Sequence, residues 1–294
     1  MKTNRILYFT LAIFGLAVFS MCDYVKKPYQ NIAPAPSTST TGAVLRKFLI
    51  EDYTGHTCGN CPKAVDTINS IMSLYPGRVI AVGIHSGFYA TLSSPNYTYD
   101  FVVPDVSTPG YNELDNFFQI STNGNPNGMV SRKDYNTSTQ THVKGIDQWK
   151  GVVASMMNDT AKVKLTITNT TDTISAHTIS STITATFLEG LTGNYKIATM
   201  VIEDSIIQPQ KDYRFSPDDV LNYHHRHVLR AYMFGAFGEQ IGTTDPVINS
   251  TATKTYSIPI PAKIINIKHC AVVTYVYDAV TYEILQVEES DVFH

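Results

Sequence analysis

The chain has 294 residues, 43% of them hydrophobic and 16% charged, with a net charge of −3. This composition suits a folded, core-forming protein and excludes a disordered tail. With a slight acidic excess and no basic run, the chain has no electrostatic footing for nucleic acid, which is excluded as a partner.

Lys2 and Arg5 precede an apolar run over 6–21 that Cys22 closes. A short positive segment ahead of an apolar core has the form of a secretory signal, and the run falls short of the roughly 20 residues that span a bilayer. Cys22, with small Ser20 before it and Met21 between, resembles the bacterial lipobox. The expectation is a lipoprotein leader segment over 1–22 that ends in the lipobox cysteine, with cleavage ahead of Cys22 making it the acylated N-terminus, so that the membrane is a partner through an N-terminal lipid. Residues 23–42 carry Pro28, Pro34, Pro36 and the Ser/Thr run 37–41, the composition of an extended linker.

Order is predicted to begin near Ala43. Residues 44–53, with Leu45, Phe48, Leu49 and Ile50, read as a buried strand, and a turn over 54–57 leads to a helix over 59–75. Ala64, Ile68, Ile71 and Tyr75 form that helix's stripe, Pro62 sits in its first turn, and Pro76-Gly77 stops it. A strand over 78–85, a turn-rich insertion over 86–109, a short helix over 111–120 and a strand over 129–135 come next. A last helix spans 139–157, with Val143, Ile146, Trp149, Val153 and Met156 at helical spacing. The texture changes after Asn158. Segments 161–187, 194–203, 253–260 and 269–287 are rich in Val, Ile, Thr and Tyr with period two, which predicts an antiparallel sandwich. Only 208–241 lacks a clear period. The predicted fold is therefore an α/β domain over 43–158 followed by an all-β, antiparallel sandwich-like domain over 159–294.

With Cys22 assigned to lipid, Cys58 and Cys61 remain as a local pair and Cys270 is left over in an apolar strand, where an inert buried thiol is expected. In an exported protein C-x-x-C is a redox candidate. A zinc site needs a second ligand pair, and the histidines near 225 have no acidic or cysteine ligand beside them, so no metal and no cofactor is expected. His225 and His227 share a face on a strand, and with Arg230 they read either as a secondary site or as a polar connection bonded to backbone.

The order strand, turn, C-x-x-C at a helix start, strand, helix, proline turn, strand resembles the thioredoxin fold. A cysteine at a helix N-terminus meets the positive end of the backbone dipoles, which favours the thiolate, and its partner one turn on can close a disulfide. Cys58 would attack and Cys61 resolve. The resemblance implies that Asp52, six residues before Cys58, is the buried acid that assists Cys61, and that Pro126 is the cis-proline whose loop aligns substrate. Thr57 stands where thioredoxins carry Trp, and His56 before it is either a thiolate-stabilising group or a turn residue.

The whole chain is similar to a more specific family. The leader, the stretch Glu51-Asp52-Tyr53-Thr54-Gly55 ahead of Cys-Gly-Asn-Cys-Pro, and the segment 222–230 with His224, His225 and His227 resemble the Omp-twenty-eight-related outer-membrane lipoproteins of Bacteroidetes. The resemblance implies a thioredoxin-like domain followed by a β domain at the outer membrane, with adhesin or receptor roles proposed for the family. Two functions follow: a thiol–disulfide oxidoreductase with envelope proteins as clients, or a non-catalytic binding protein for surface ligands that uses the pair as a structural disulfide. A hydrolase is disfavoured, because neither a nucleophile elbow nor an acid pair is present.

Overall fold

The computed structural model describes residues 42–104, 107–108 and 110–293. The leader, Cys22 and linker residues 23–41 lie outside the described residues. Among the described residues no helix is long and apolar enough to cross a membrane.

Strand β1 (Phe48–Thr54) is buried along its whole length, as is β2 (Val79–His85), and the two pair in parallel with Phe48 opposite Val79 and Thr54 opposite His85. Burial on both faces is what makes these strands continuous apolar runs rather than alternating ones. Helix α1 (Pro62–Leu74) connects them, starting with Pro62 at the position where the missing N–H costs nothing. Helix α2 (Glu113–Phe118) is capped by the Asn112 side chain, which accepts from Leu114 N. Strand β3 (Asn127–Val130) runs antiparallel to β1, and β4 (Lys144–Gly145) pairs with β3. Helix α3 (Ile146–Met156) follows, its first turn tied by the Gln148 side chain accepting from Gly145 N. The α1 stripe of Ala64, Ile68 and Ile71 and the α3 residues Trp149, Val153 and Met156 pack together on Phe48, Ile50, Val79 and Ala81.

Beyond residue 159 some strands extend this sheet and others form sheets of their own. β5 (Val163–Asp172), β6 (Thr178–Phe187) and β12 (Thr251–Pro259) form a separate three-stranded antiparallel sheet. β7 (Tyr195–Glu203), β10 (Val228–Tyr232), β13 (Cys270–Asp278) and β14 (Ile284–Asp291) join the first strands in the order β14-β13-β7-β10-β2-β1-β3-β4, and β11 (Glu239–Gln240) pairs beside β7. The junction is parallel, Val228 of β10 opposite Gly83 of β2, so one mixed sheet draws strands from both sides of Asn158. β8 (Ile206–Lys211) and β9 (Asp219–His225) make a two-stranded hairpin outside that sheet.

The long sheet curls. Ile284 N at the start of β14 donates to Ser131 O just past β3, and Lys47 N donates to the Gln286 side chain. Inside the curl Leu49, Tyr53, Val82, Ile84, Met200, Val273, Tyr275 and Tyr277 form one core with Leu114 and Phe118 of α2. On the outer face of β7 and β13, Val201, Val272 and Val276 meet Val163, Leu165, Ile179 and Ile183 of the three-stranded sheet, two sheets face to face.

Four boundaries differ from expectation. Helix α1 begins at Pro62, not at residue 59, because residues 58–61 form a turn. The strand predicted over 129–135 ends at Val130, since Ser131, Arg132 and Asp134 adopt left-handed backbone (φ 49°, 51° and 61°). Helix α3 begins at Ile146 rather than near 139. The aperiodic segment 208–241 holds most of β8 and all of β9, β10 and β11. Ile207 on β8 and Leu221 on β9 face solvent, so the hairpin carries no alternation that reports a core.

Candidate functional site

β1 ends at Thr54, and the chain turns through Gly55, His56 and Thr57 into Cys58. Gly55 is required there, because a Cβ would lie 2.3 Å from the Tyr89 carbonyl. Cys58 and Cys61 form a disulfide with their Cα atoms 5.4 Å apart. Cys61 is the N-cap of α1, and its N–H donates to Cys58 O in the preceding turn. The helix terminus therefore meets Cys61, and Cys58 stands one turn before it, a correction to the predicted placement of Cys58 at the helix start. Both cysteines are only 2% exposed.

Of the two predicted partners, the Pro126 loop reaches this pair. The Asn125–Pro126 peptide bond is cis, and Asn125 O lies 3.6 Å from Cys58 Sγ. Asp52 alternates with Phe48 and Ile50 on the face of β1 that α1 covers, while Glu51 faces the opposite way. Asp52 is 2% exposed, its Oδ1 has no hydrogen-bond partner among the described residues, and burial raises its pKa to about 8.

The hairpin β8–β9 lies across the motif. Gln210 Nε2 donates to Gly55 O and Cys58 O (3.3 and 3.0 Å), Lys211 N to His56 O (2.8 Å), and Tyr213 N to Gly59 O (3.0 Å). The Tyr213 ring sits where a Cβ on Gly59 would reach it at 2.4 Å. The hairpin's own turn is held by buried Asp212, which accepts from Arg214, and Arg214 also pairs with Asp66 on α1. The Arg214 hydrogen bonds lower the Asp212 pKa. On the other side Asp219 accepts from Lys211 (3.0 Å), Asn96 (2.9 Å) and the Tyr97 hydroxyl. A cavity of about 470 Å³ opens beside Thr57, between Tyr89 and Tyr97 of the insertion and Lys211, Tyr213 and Asp219 of the hairpin. None of these hairpin residues was marked by sequence periodicity. The one available signal was Tyr213 and Phe215 in a polar turn, both more than half exposed.

The histidines separate into two settings. His56 is buried, its Nε2 within 3.0 Å of Thr91 O, and its ring stacks on Tyr97. Phe101 of the insertion has ring centroids of His85 and His225 at 4.3 and 4.5 Å, and those two imidazoles lie 5.6 Å apart. Burial holds all three in the neutral form: the pKa of His56 is lowered, that of His85 falls well below 6.5, and that of His225 falls to about 3. His227, with a left-handed backbone, instead turns to Asp204, whose carboxylate accepts from His227 N at 2.7 Å. Arg230 forms a buried ion pair with Glu203 at 3.2 Å. His225 and His227 thus do not act together, and His85, which sequence reasoning passed over, joins His225. No group of three or more His, Cys, Asp or Glu that could hold a metal occurs among the described residues. Cys270 is a buried thiol in β13 whose pKa burial raises.

The model of the family described as outer membrane protein Omp28 matches residues 113–293, a span that begins beyond Cys58 and Cys61. Among solved structures, HBP35 of Porphyromonas gingivalis superposes with a TM-score of 0.57 at 14% identity, covering 84% of this chain and 75% of that one, which shows a shared fold. A domain of the outer membrane lipoprotein Omp28 from Porphyromonas gingivalis is 21% identical over 45% of this chain and 89% of its own, with a TM-score of 0.30. No curated protein matches the chain.

Proposed function

Because the chain belongs to the Omp28 family of outer membrane proteins, and so resides in the cell envelope at the outer membrane, we propose that it is a thiol–disulfide oxidoreductase acting on envelope proteins. In this reading 43–158 is a thioredoxin-like part, 159–294 a β part, and cleavage ahead of Cys22 leaves that cysteine lipidated at the start of the linker 23–42. The observation that carries it is the Cys58–Cys61 disulfide with the Asn125–Pro126 loop at Cys58 Sγ, joined by a turn to a strand that holds a buried carboxyl, Asp52, with a pKa of about 8. A carboxyl that titrates near the thiol range can take and return a cysteine proton.

The exchange runs as two sulfur displacements. In the reduced pair the Cys58 thiolate attacks one sulfur of a client disulfide, whose bond breaks and releases a client thiolate. Asp52 in its ionised form accepts the Cys61 proton, and the Cys61 thiolate attacks Cys58 Sγ, freeing the second client sulfur. The client gains two electrons and the pair becomes the disulfide seen here. An envelope dithiol would return the electrons.

A second reading is a binding protein in which the pair is a staple, favoured by the 2% exposure of both cysteines. The reduction potential separates them. A working oxidoreductase is expected between about −270 and −120 mV, and a value below about −300 mV would make the bridge structural. Cys61→Ser should also trap a client on Cys58 from envelope extract, and a failure to trap any would favour the staple.

A further inference from the structure

Displacement at a disulfide needs an attacking sulfur in line with the S–S bond, and with 2% exposure at Cys58 and Cys61 no client can make that approach. Something must lift. β1, α1 and the cis Asn125–Pro126 loop belong to the core or adjoin it, whereas the β8–β9 hairpin stands outside the main sheet. A two-stranded hairpin is marginal by itself, so its position depends on what it holds at its ends.

The manner of its attachment identifies what it replaces. Lys211 and Tyr213, two residues apart, donate their backbone N–H groups to the carbonyls of His56 and Gly59, which flank Cys58. The two carbonyls lie in the turn before α1, and main-chain bonds to them provide affinity whatever the side chains. We infer that the β8–β9 hairpin is a strap occupying the client's place over the disulfide, and that the client is an extended polypeptide which takes over the carbonyls of His56 and Gly59 when the strap lifts. The inference rests on the oxidoreductase reading for its client, but not for its strap. Arg214 is the latch, joining the strap's buried Asp212 to Asp66 on α1.

The test uses the full chain. Dithiothreitol reduces the disulfide with two electrons and leaves as its cyclic disulfide, and the rate is followed by alkylation and mass spectrometry. Arg214→Gln is expected to raise that rate at least about tenfold, through loss of charge-assisted hydrogen bonds in the closed state. Asp66→Asn, a surface change that leaves the fold alone, should raise it about two- to fivefold. In the Arg214→Gln chain, an extended cysteine peptide should form the mixed disulfide faster than the same peptide N-methylated beside its cysteine, which cannot donate to the carbonyls. Wild type should react slowly with both. Equal dithiothreitol rates in all three chains would overturn the strap, and equal rates for the two peptides would overturn the strand-like client. Reduction of insulin disulfides separates this from the parent reading. If the opened variants react with dithiothreitol yet never turn over insulin, catalysis fails and the strap stands. If wild type turns over insulin as fast as the variants, the strap fails and catalysis stands.

Discussion

Glu51 and Asp52 are neighbours on one strand, both buried, and their side chains live in opposite conditions. Glu51 faces the interior of the curl and meets Arg132 through two hydrogen bonds of 3.0 and 2.7 Å. Arg132 goes on to donate to the Tyr275 hydroxyl at 2.6 Å and lies over the rings of Phe118 and Tyr275. Asp52 faces the helix side with a buried Oδ1 that nothing among the described residues satisfies. A satisfied buried charge knits structure together, here strand β1, the turn after β3 and strand β13. An unsatisfied carboxyl keeps its proton instead and is a cost that the fold carries, and such costs gather where chemistry is done.

The largest effect should come from breaking the satisfied side. Arg132→Met leaves the Glu51 carboxylate buried without its cation, and denaturant unfolding should show a loss of about 3–5 kcal/mol. Replacing both partners, Glu51→Leu with Arg132→Met, should recover much of it, because the penalty lies in the orphaned charge rather than in the missing pair. A double variant as unstable as the single one would mean that the left-handed turn at Arg132 depends on the pair itself.

The unsatisfied side should respond with the opposite sign. The folded-state pKa of Asp52, about 8, is raised above the ordinary 3.8, so the folded chain keeps a proton that the unfolded chain releases. Its contribution to stability is full below pH 3.8 and declines as pH rises toward 8. Asp52→Asn should therefore stabilise the protein by up to about 4 kcal/mol near pH 7, with the gain vanishing below pH 4. The same change should slow insulin reduction by roughly 100-fold, since Cys61 loses its proton acceptor. Stabilisation without loss of turnover would remove Asp52 from the mechanism.

Much of the helix-covered side was legible in the sequence, because its signals are local. The run from Phe48 to Ile50, the stripe of Ala64, Ile68 and Ile71, and the spacing of Cys58 and Cys61 each report on a few neighbouring residues. The pairing across the curl was not legible, since nothing near Glu51 names Arg132, 81 positions away, or Tyr275 beyond it. The strap escaped for a different reason. Its bonds to His56, Cys58 and Gly59 run from backbone groups and one glutamine, and backbone donors leave no trace in a sequence. His225 drew notice through its crowded neighbourhood, yet its partner His85 sits in a plain apolar strand and the Phe101 between them in an aperiodic loop.

The smallest effect should appear at that histidine cluster, which joins the strap to β2. Burial keeps His225 neutral with a pKa of about 3, well below the ordinary 6.5. The unfolded chain therefore binds a proton between pH 6.5 and about 3 that the folded chain refuses, so stability is full above 6.5 and falls as the solution is acidified. At pH 5 the loss from this one group is about 2 kcal/mol. His85, equally buried and without a hydrogen bond on either ring nitrogen among the described residues, acts in the same direction. His85→Phe keeps the ring stacked on Phe101 but cannot take up a proton, so it should leave stability at pH 7.5 nearly unchanged and flatten its fall toward pH 5. Melting temperatures of the two proteins across that interval would measure it. Parallel curves would mean that His85 already titrates normally, and that the contact between the strap and β2 is packing alone.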